Sequence, residues 1–217
     1  MNSKRYGIVY EDDYLIVVDK APGVLVIPTP KKETNTLTDL LNNELDSRGV
    51  EVNAYPCHRI DRETSGLIVY SKGKKAQQLL MDEFKNRRVS KRYIAVVQGT
   101  VRQDSGTIDS DIFSRNKNRY EKAVTRYRVL KRAGSLSVLE AEPVTGRTNQ
   151  IRIHLKKIGH PIVGESVYAF RKDFKVRFKR VALHAAAIEF KHPVTGRAMK
   201  FTSPLPGDIE ELINRKE

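Results

Sequence analysis

Two stretches of the sequence concentrate side chains able to do chemistry. The first is His58-Arg59-Ile60-Asp61-Arg62-Glu63-Thr64-Ser65-Gly66, which sets a carboxylate among a histidine and two arginines just before an apolar run at 67–70. An ionised carboxylate can act as nucleophile or general base, and a loop anchored to a strand can be held in one position. Taken alone, the stretch also reads as a solvated charged turn. The second is Gly146-Arg147-Thr148-Asn149-Gln150-Ile151-Arg152-Ile153-His154-Leu155, followed by Gly159-His160-Pro161-Ile162-Val163-Gly164. It puts Gly, two Arg, Asn and Gln at the mouth of an expected helix, where helix N–H groups and arginine forks suit phosphate or carboxylate.

The elements that must position these groups follow from apolar periodicity and turn residues. Runs at 15–18 and 24–27, separated by Lys20-Ala21-Pro22-Gly23, predict strand, turn, strand. Thr36 with Asp39 resembles a capping box, and Leu37, Leu40, Leu41 and Leu45 then share a helical face up to Gly49. A second stripe, Ala76, Leu79, Leu80 and Phe84, predicts another helix, and 148–158 a third with Ile151, Leu155 and Ile158 inside. Strands are expected at 67–70, 92–97, 123–130, 136–141, 181–190 and 199–202, with a last short helix around Ile209, Leu212 and Ile213. The polar segment 104–122 reads as an exposed connection. Hairpin-like links between most strands favour α+β over a doubly wound parallel sheet.

With 217 residues and 39% hydrophobic content, the chain can bury the core of a single domain spanning 1–217. Lys and Arg number 40 against 26 Asp and Glu, a net +14, which points to a polyanionic partner. Nucleic acid fits better than a membrane surface, since neither a basic amphipathic helix nor a lipidation signal is present. The first residues lack the apolar core of a secretory signal, and no apolar run approaches the roughly 18 residues of a membrane span, so the expected location is cytoplasmic. The single cysteine, Cys57, excludes an internal disulfide framework and a multi-cysteine zinc site, and reads as a small buried apolar group. His154, His160, His184 and His192 read as structural, none having Cys or carboxylate at metal-ligand spacing.

Five ordered motifs resemble those of the RluA family of RNA pseudouridine synthases. His58-Arg59-Ile60-Asp61 with Thr64-Ser65-Gly66-Leu67 resembles the family's His-Arg-Leu-Asp-x-x-Thr-Ser-Gly-Leu. Lys91-Arg92-Tyr93-Ile94-Ala95 resembles its Lys-x-Tyr-x-Ala strand, and 146–155 its Gly-Arg-Thr-His-Gln-Ile-Arg-x-His-Leu. The order continues through 159–164 and Leu183-His184-Ala185, and opens with the strand pair around 20–23. Asn149 stands where the family usually has His, and Ile60 where it has Leu.

The resemblance implies an α+β fold with a mixed, mainly antiparallel central sheet flanked by helices and loops. It also implies an isomerase that breaks the C1′–N1 bond of a uridine, turns the uracil and rejoins C1′ to C5. Nothing is oxidised, reduced or hydrolysed, so neither cofactor nor metal is expected. By matching position Asp61 is the essential carboxylate, as nucleophile at C1′ or as base toward a ribose proton. Arg152 is its basic partner, and Tyr93 the aromatic that stacks on the base and assists proton removal at C5. Arg59 matches the residue that fills the gap left by the extruded nucleotide. His58, which shapes the loop, is grouped with Arg62, Arg147, Asn149 and Gln150 on the RNA-binding side, with Arg115, Lys117, Arg119 and the basic stretch 171–180 as phosphate-tracking charges. The implied partner is a stem-loop of transfer or ribosomal RNA, acted on by a monomer that begins at its catalytic domain without a preceding small RNA-binding domain of the S4 type. The rival functions are a non-catalytic RNA-binding or ribosome-assembly factor on the same fold, and a DNA-binding protein, for which no helix-turn-helix or zinc signature appears.

Overall fold

The computed structural model describes residues 5–169 and 176–214, so the part of the basic stretch at 171–175 lies outside it. The chain forms two compact units, the first from residues up to 89 together with 187–203, the second from 90–186 together with residues from 204 onward.

In the first unit the elements are β1 (Tyr6–Glu11), β2 (Leu15–Lys20), α1 (Leu37–Ser47), β3 (Ala54–Pro56), β4 (Ser65–Lys72) and α2 (Lys74–Lys85). β2 lies between β1 and β4, both antiparallel to it, and β3 pairs with β4. β4 is buried along nearly its whole length, as the apolar run 67–70 would suggest. The core of this unit joins Leu15, Val17, Cys57, Leu67, Val69, Leu80 and Val89 to Ile188 and Phe190, which come from much later in the sequence. Thr36 and Asp39 form the reciprocal capping box expected for α1, and Leu37, Leu41 and Leu45 are buried.

The second unit contains β5 (Ser90–Gln98), β6 (Ser105–Asp109), β7 (Ile112–Ser114), β8 (Arg119–Glu121), β9 (Val124–Ala133), β10 (Leu136–Pro143) and α3 (Gln150–Lys157). β5, β10, β9 and β6 pair antiparallel in that order, while β7 and β8 make a separate hairpin. The segment Gly159 to Gly164 runs beside β5, through Gln98 N–H to Pro161 O at 2.9 Å and Val163 N–H to Val96 O at 2.8 Å. Gly164 has φ +79, and a Cβ there would stand 1.8 Å from the Arg180 carbonyl oxygen, so only glycine fits this approach. The chain continues through β11 (Leu183–Lys191), β12 (Ala198–Thr202) and α4 (Gly207–Asn214). β11 starts in the second unit and ends in the first, where it pairs with β12. In the second unit Arg180 grips Asp208 of α4 with both Nε and Nη2, at 2.7 and 2.8 Å. Among the described residues no helix is long and apolar enough to cross a membrane.

Two expectations are corrected. Residues 24–27 do not form a strand. The carbonyls of Leu25 and Val26 accept instead from the Leu37 and Thr38 N–H groups at the start of α1, which satisfies helix donors rather than a ladder. The polar segment 104–122 is not only a connection, since it carries β6, β7 and β8. β6 buries only Ile108, which leaves no apolar alternation for the sequence to display.

Candidate active site

In the first unit, the 58–66 loop is tied down on several sides. Cys57 N–H donates to Val69 O at 3.0 Å, and the Val69 N–H donates to His58 Nε2 at 3.1 Å, so the imidazole completes the edge of β4. Its ring also lies 4.9 Å from that of Phe84. Because Nε2 accepts, its proton sits on Nδ1, and His58 acts as a loop-shaping group. Asp61, partly buried, begins a turn in which its carbonyl accepts from Thr64 N–H at 3.1 Å.

The next carbonyl, that of Arg62, accepts from Gly23 N–H at 2.8 Å and from the Lys20 ammonium at 3.0 Å; Lys20 also donates to Ala21 O at 2.8 Å. Lys20 is completely buried. The strand end and Pro-Gly turn at 20–23 therefore fix the backbone on the C-terminal side of Asp61. Arg59 and Arg62 are exposed, and Arg62 approaches Glu33 at 3.3 Å. A solvated pair of this kind orients more than it stabilises. The clamp carries an expected outcome: Lys20→Met should lower unfolding free energy by about 1–3 kcal/mol, the worth of hydrogen bonds from a charged donor, with the Arg62 carbonyl still accepting from Gly23 N–H. Urea unfolding with a lower midpoint and an unchanged slope would show it; an unaltered midpoint would mean that the ammonium holds nothing in place.

In the second unit Tyr93 sits on β5 opposite Ala141 of β10 and is buried. Lys91, two residues before it, has its pKa pushed down by burial, and its Nζ lies 3.9 Å from where a side chain on Gly146 would begin. Asn149, at the N-cap of α3, has left-handed backbone angles, φ 56 and ψ 21, which Asn tolerates better than most residues. Its side chain does not cap its own helix. Instead Nδ2 donates to the Tyr168 hydroxyl at 2.7 Å, and Oδ1 accepts from Arg152 Nη1 at 3.1 Å. The departure from His at this position thus places a donor and an acceptor on one short side chain.

Arg152 is buried and forks onto Glu165, Nε to Oε2 at 2.7 Å and Nη2 to Oε1 at 2.8 Å. Its guanidinium carbon lies 5.3 Å from the centre of the Tyr168 ring. Glu165 Oε1 also accepts from the N–H groups of Ser166, Val167 and Tyr168. Burial works to raise the Glu165 pKa, but the Arg152 hydrogen bond and charge and the backbone donors outweigh it and hold the carboxyl below the usual range. Three of the five N–H groups of Arg152 are used by Glu165 and Asn149, which fixes the plane of the guanidinium.

Gln150 differs from its sequence assignment to the RNA surface. It is buried, its Oε1 accepting from Thr145 Oγ1 and Arg147 N–H while Nε2 donates to Val124 O and Thr125 Oγ1. That fills the hydrogen-bonding capacity of the amide, so Gln150 locks the start of α3 onto β9. His154 belongs to the same network, between Thr125 Oγ1 and Ser110 O, with its pKa lowered by burial. Arg147 donates to Lys122 O at 3.1 Å and lies 3.4 Å from Glu121.

On the β7–β8 hairpin Phe113 and Tyr120 meet edge to face at 5.3 Å, and Tyr120 is 69% exposed. Arg115, Lys117 and Arg119 are exposed on the same hairpin.

Sequence reasoning missed Glu165 and Tyr168. The available signal was a glutamate immediately after Gly164, where successive N–H groups can turn back onto its carboxylate. Among the described residues no group of three His, Cys, Asp or Glu side chains could hold a metal ion.

The motifs and the fold have parallels among known proteins. Residues 14–157 match the sequence model of a family described as RNA pseudouridylate synthase. The chain is 39% identical over 217 residues to the "Uncharacterized RNA pseudouridine synthase YlyB" of Bacillus subtilis, covering 95% of this chain and 71% of the relative. It is 36% identical over 220 residues to the "Ribosomal large subunit pseudouridine synthase D" of Nitrosomonas europaea, covering 95% of this chain and 64% of that one. Among solved structures, "Human RNA Pseudouridylate Synthase Domain Containing 4" matches with a TM-score of 0.80 and 23% identity over 92% of this chain and 88% of that chain, a likeness of fold.

Proposed function

The chain belongs to the RNA pseudouridylate synthase family, and from that premise we propose that it isomerises a specific uridine in a structured ribosomal or transfer RNA, with Asp61 as the essential carboxylate. The observation that carries the reading is the Asp61 turn, which lies inside the family match and is held by Lys20, Gly23 and Thr64. A carboxylate that must meet one carbon of one ribose needs such a fixed backbone. Large-subunit ribosomal RNA is the first substrate to test, because a relative that is 36% identical is named for it.

Two routes share the same overall balance. In one, Asp61 attacks C1′, uracil leaves from N1, and C5 of the turned base then displaces the carboxylate. In the other, Asp61 takes a ribose proton to release the base, and returns it when C1′ joins C5. Either way one C–N bond is exchanged for one C–C bond, N1 takes up a proton, and the hydrogen on C5 leaves as a proton. Tyr93 would stack on the turned base and relay that proton; an ordinary phenol is a neutral donor at pH 7, so water or Arg152 must help it. RNA carrying tritium at C5 of uridine should therefore release label to water when treated with the enzyme. Saturable RNA binding without release would leave a non-catalytic RNA-binding factor instead.

Arg59 is proposed as the side chain that fills the stack vacated by the extruded uridine, a flat guanidinium being able to stack as well as bond. Its exposure at the rim of the Asp61 loop suits that role. Arg59→Ala should slow single-turnover reaction on a stem-loop more than on RNA whose target uridine is already unstacked, by about 1–3 kcal/mol, the worth of one stacking contact. Equal slowing on both RNAs would make Arg59 an ordinary phosphate contact.

A further inference from the structure

Beside the Asp61 loop, and wholly within the first unit, lies an open cavity of about 560 Å³ whose walls include Arg5, Pro22, Val24, Glu33, Asn35 and Arg62. None of these side chains takes part in the bond-making and bond-breaking steps derived above. The size falls in the range of about 300–1,000 Å³ typical of small-molecule sites. Its walls are fixed by the backbone: Ala21 N–H donates to Arg5 O at 2.9 Å, and Gly23 N–H to Arg62 O at 2.8 Å.

The polar groups define what could enter. Two guanidinium groups alone would suit a phosphate, but Glu33 stands among them, 3.3 Å from Arg62 Nη2. One of its oxygens is occupied by Thr29, whose N–H and hydroxyl donate to Oε2 at 3.0 and 2.7 Å. Those bonds, the hydroxyl first, keep the Glu33 carboxyl below the ordinary range, so it is ionised at neutral pH. This charge offsets one of the two arginines, so the site calls for a ligand that donates as well as accepts. The fitting ligand offers one donor to Glu33 Oε1, which keeps a lone pair beside its bond from Arg62 Nη2, acceptors to the two arginines, and a flat face to Pro22 and Val24.

We propose that this cavity receives an unpaired guanine of the RNA. The N1–H of guanine would donate to Glu33, and its O6 and N7 would accept from arginine, the commonest specific pairing of that base. Adenine presents an amino group where guanine has O6 and would face a guanidinium with a donor. Pyrimidines lack the N7 edge and reach fewer of the cationic groups. The site would thus choose RNA by the identity of a nucleotide other than the reacting uridine. The proposal rests on the reading of the chain as an RNA-modifying enzyme, and its test uses free nucleotides so that the two can fail separately.

The full chain would be titrated with the monophosphates of guanosine, inosine, adenosine, cytidine and uridine by calorimetry. The relevant binding is the part lost in Arg5→Ala, which separates it from any occupancy of the uridine site. Guanosine and inosine nucleotides, sharing N1–H, O6 and N7, should bind alike and about tenfold more tightly than the other three, the discrimination of one bidentate pair. Arg5→Lys should abolish that preference because an ammonium lacks the fork. Glu33→Gln should weaken it, and Arg5→Ala supplies a second variant whose backbone contact is retained. Equal affinity for all five nucleotides, or no binding sensitive to Arg5, overturns the guanine site. Selective guanosine binding by a chain that releases no tritium from RNA would uphold the site and reject the enzyme reading.

Discussion

Asp61→Asn should abolish turnover while leaving RNA affinity within about tenfold, because the amide keeps the shape of the carboxylate and cannot ionise. The loop gives reason to expect a clean separation. Its backbone is held by Lys20, Gly23 and Val69, none of which uses the Asp61 carboxylate as its partner in those bonds. Removing the charge should therefore leave the turn standing. A neutral amide is neither a useful nucleophile toward C1′ nor a base for a ribose proton, so both routes fail together. Loss of one essential group of this kind is expected to cost at least about 10³-fold in rate, judged against other enzymes whose nucleophile or base was removed. Single-turnover tritium release at saturating enzyme is the measurement. A rate within a few-fold of the parent would remove Asp61 from the chemistry.

The second large effect is expected at Glu165, a residue with no reason to touch substrate. Glu165→Gln breaks the fork on Arg152 and leaves a buried guanidinium without its counter-charge, a loss of about 3–5 kcal/mol for a buried pair. Because burial on both sides is nearly complete, with side chains 8% and 0% exposed, solvent screening takes little from that figure. Stability should depend on pH with a definite sign. The folded-state pKa of Glu165 is depressed, so its contribution is fully present above the unfolded value of about 4.3 and is lost as pH falls through the folded value. The variant should accordingly show less stabilisation than the parent at neutral pH, and the gap should close in acid. Urea midpoints measured at pH 7 and in steps down to pH 3 test this; a gap independent of pH would mean that the carboxylate matters for its shape alone. Asn149 and Tyr168 still hold Arg152 in the variant, so partial retention of activity is compatible with this account.

Local chemistry made much of the fold legible. The Thr36 and Asp39 pair announced α1 because a capping box involves only neighbours along the chain. Ala76 and Leu80 marked the inner face of α2, though Leu79, counted in the same stripe, is exposed. The apolar run 24–27 misled because its carbonyls are taken by a helix start twelve residues on, which no strand propensity records. β1 and β3 escaped notice, the first because Ile8 and Val9 face solvent on an edge strand, the second because it is three residues long. In the candidate site Asp61, Tyr93 and Arg152 were singled out by matching position in the family resemblance. The motifs could not reveal that Gln150 is spent on β9, since its partners Val124 and Thr125 lie 26 and 25 residues earlier in the sequence. Glu165 was hidden for a related reason: a surface glutamate and a buried one are written with the same letter, and only the fork of Arg152 tells them apart.

The placement of Ile188 and Phe190 in the core of the first unit has a consequence for how the chain is made. A ribosome delivers residues in order, and the first unit is complete as far as Val89 long before its last core side chains exist. At roughly 5–20 residues per second, the intervening stretch takes on the order of 5–20 s to synthesise. During that interval Leu15, Val17, Leu67 and Val69 lack two of their apolar neighbours, and the nascent sheet displays a surface that the finished protein hides. Newly made chains should then be more susceptible to proteolysis in the N-terminal region when elongation is stalled near residue 150 than after the finished 217-residue chain has been released.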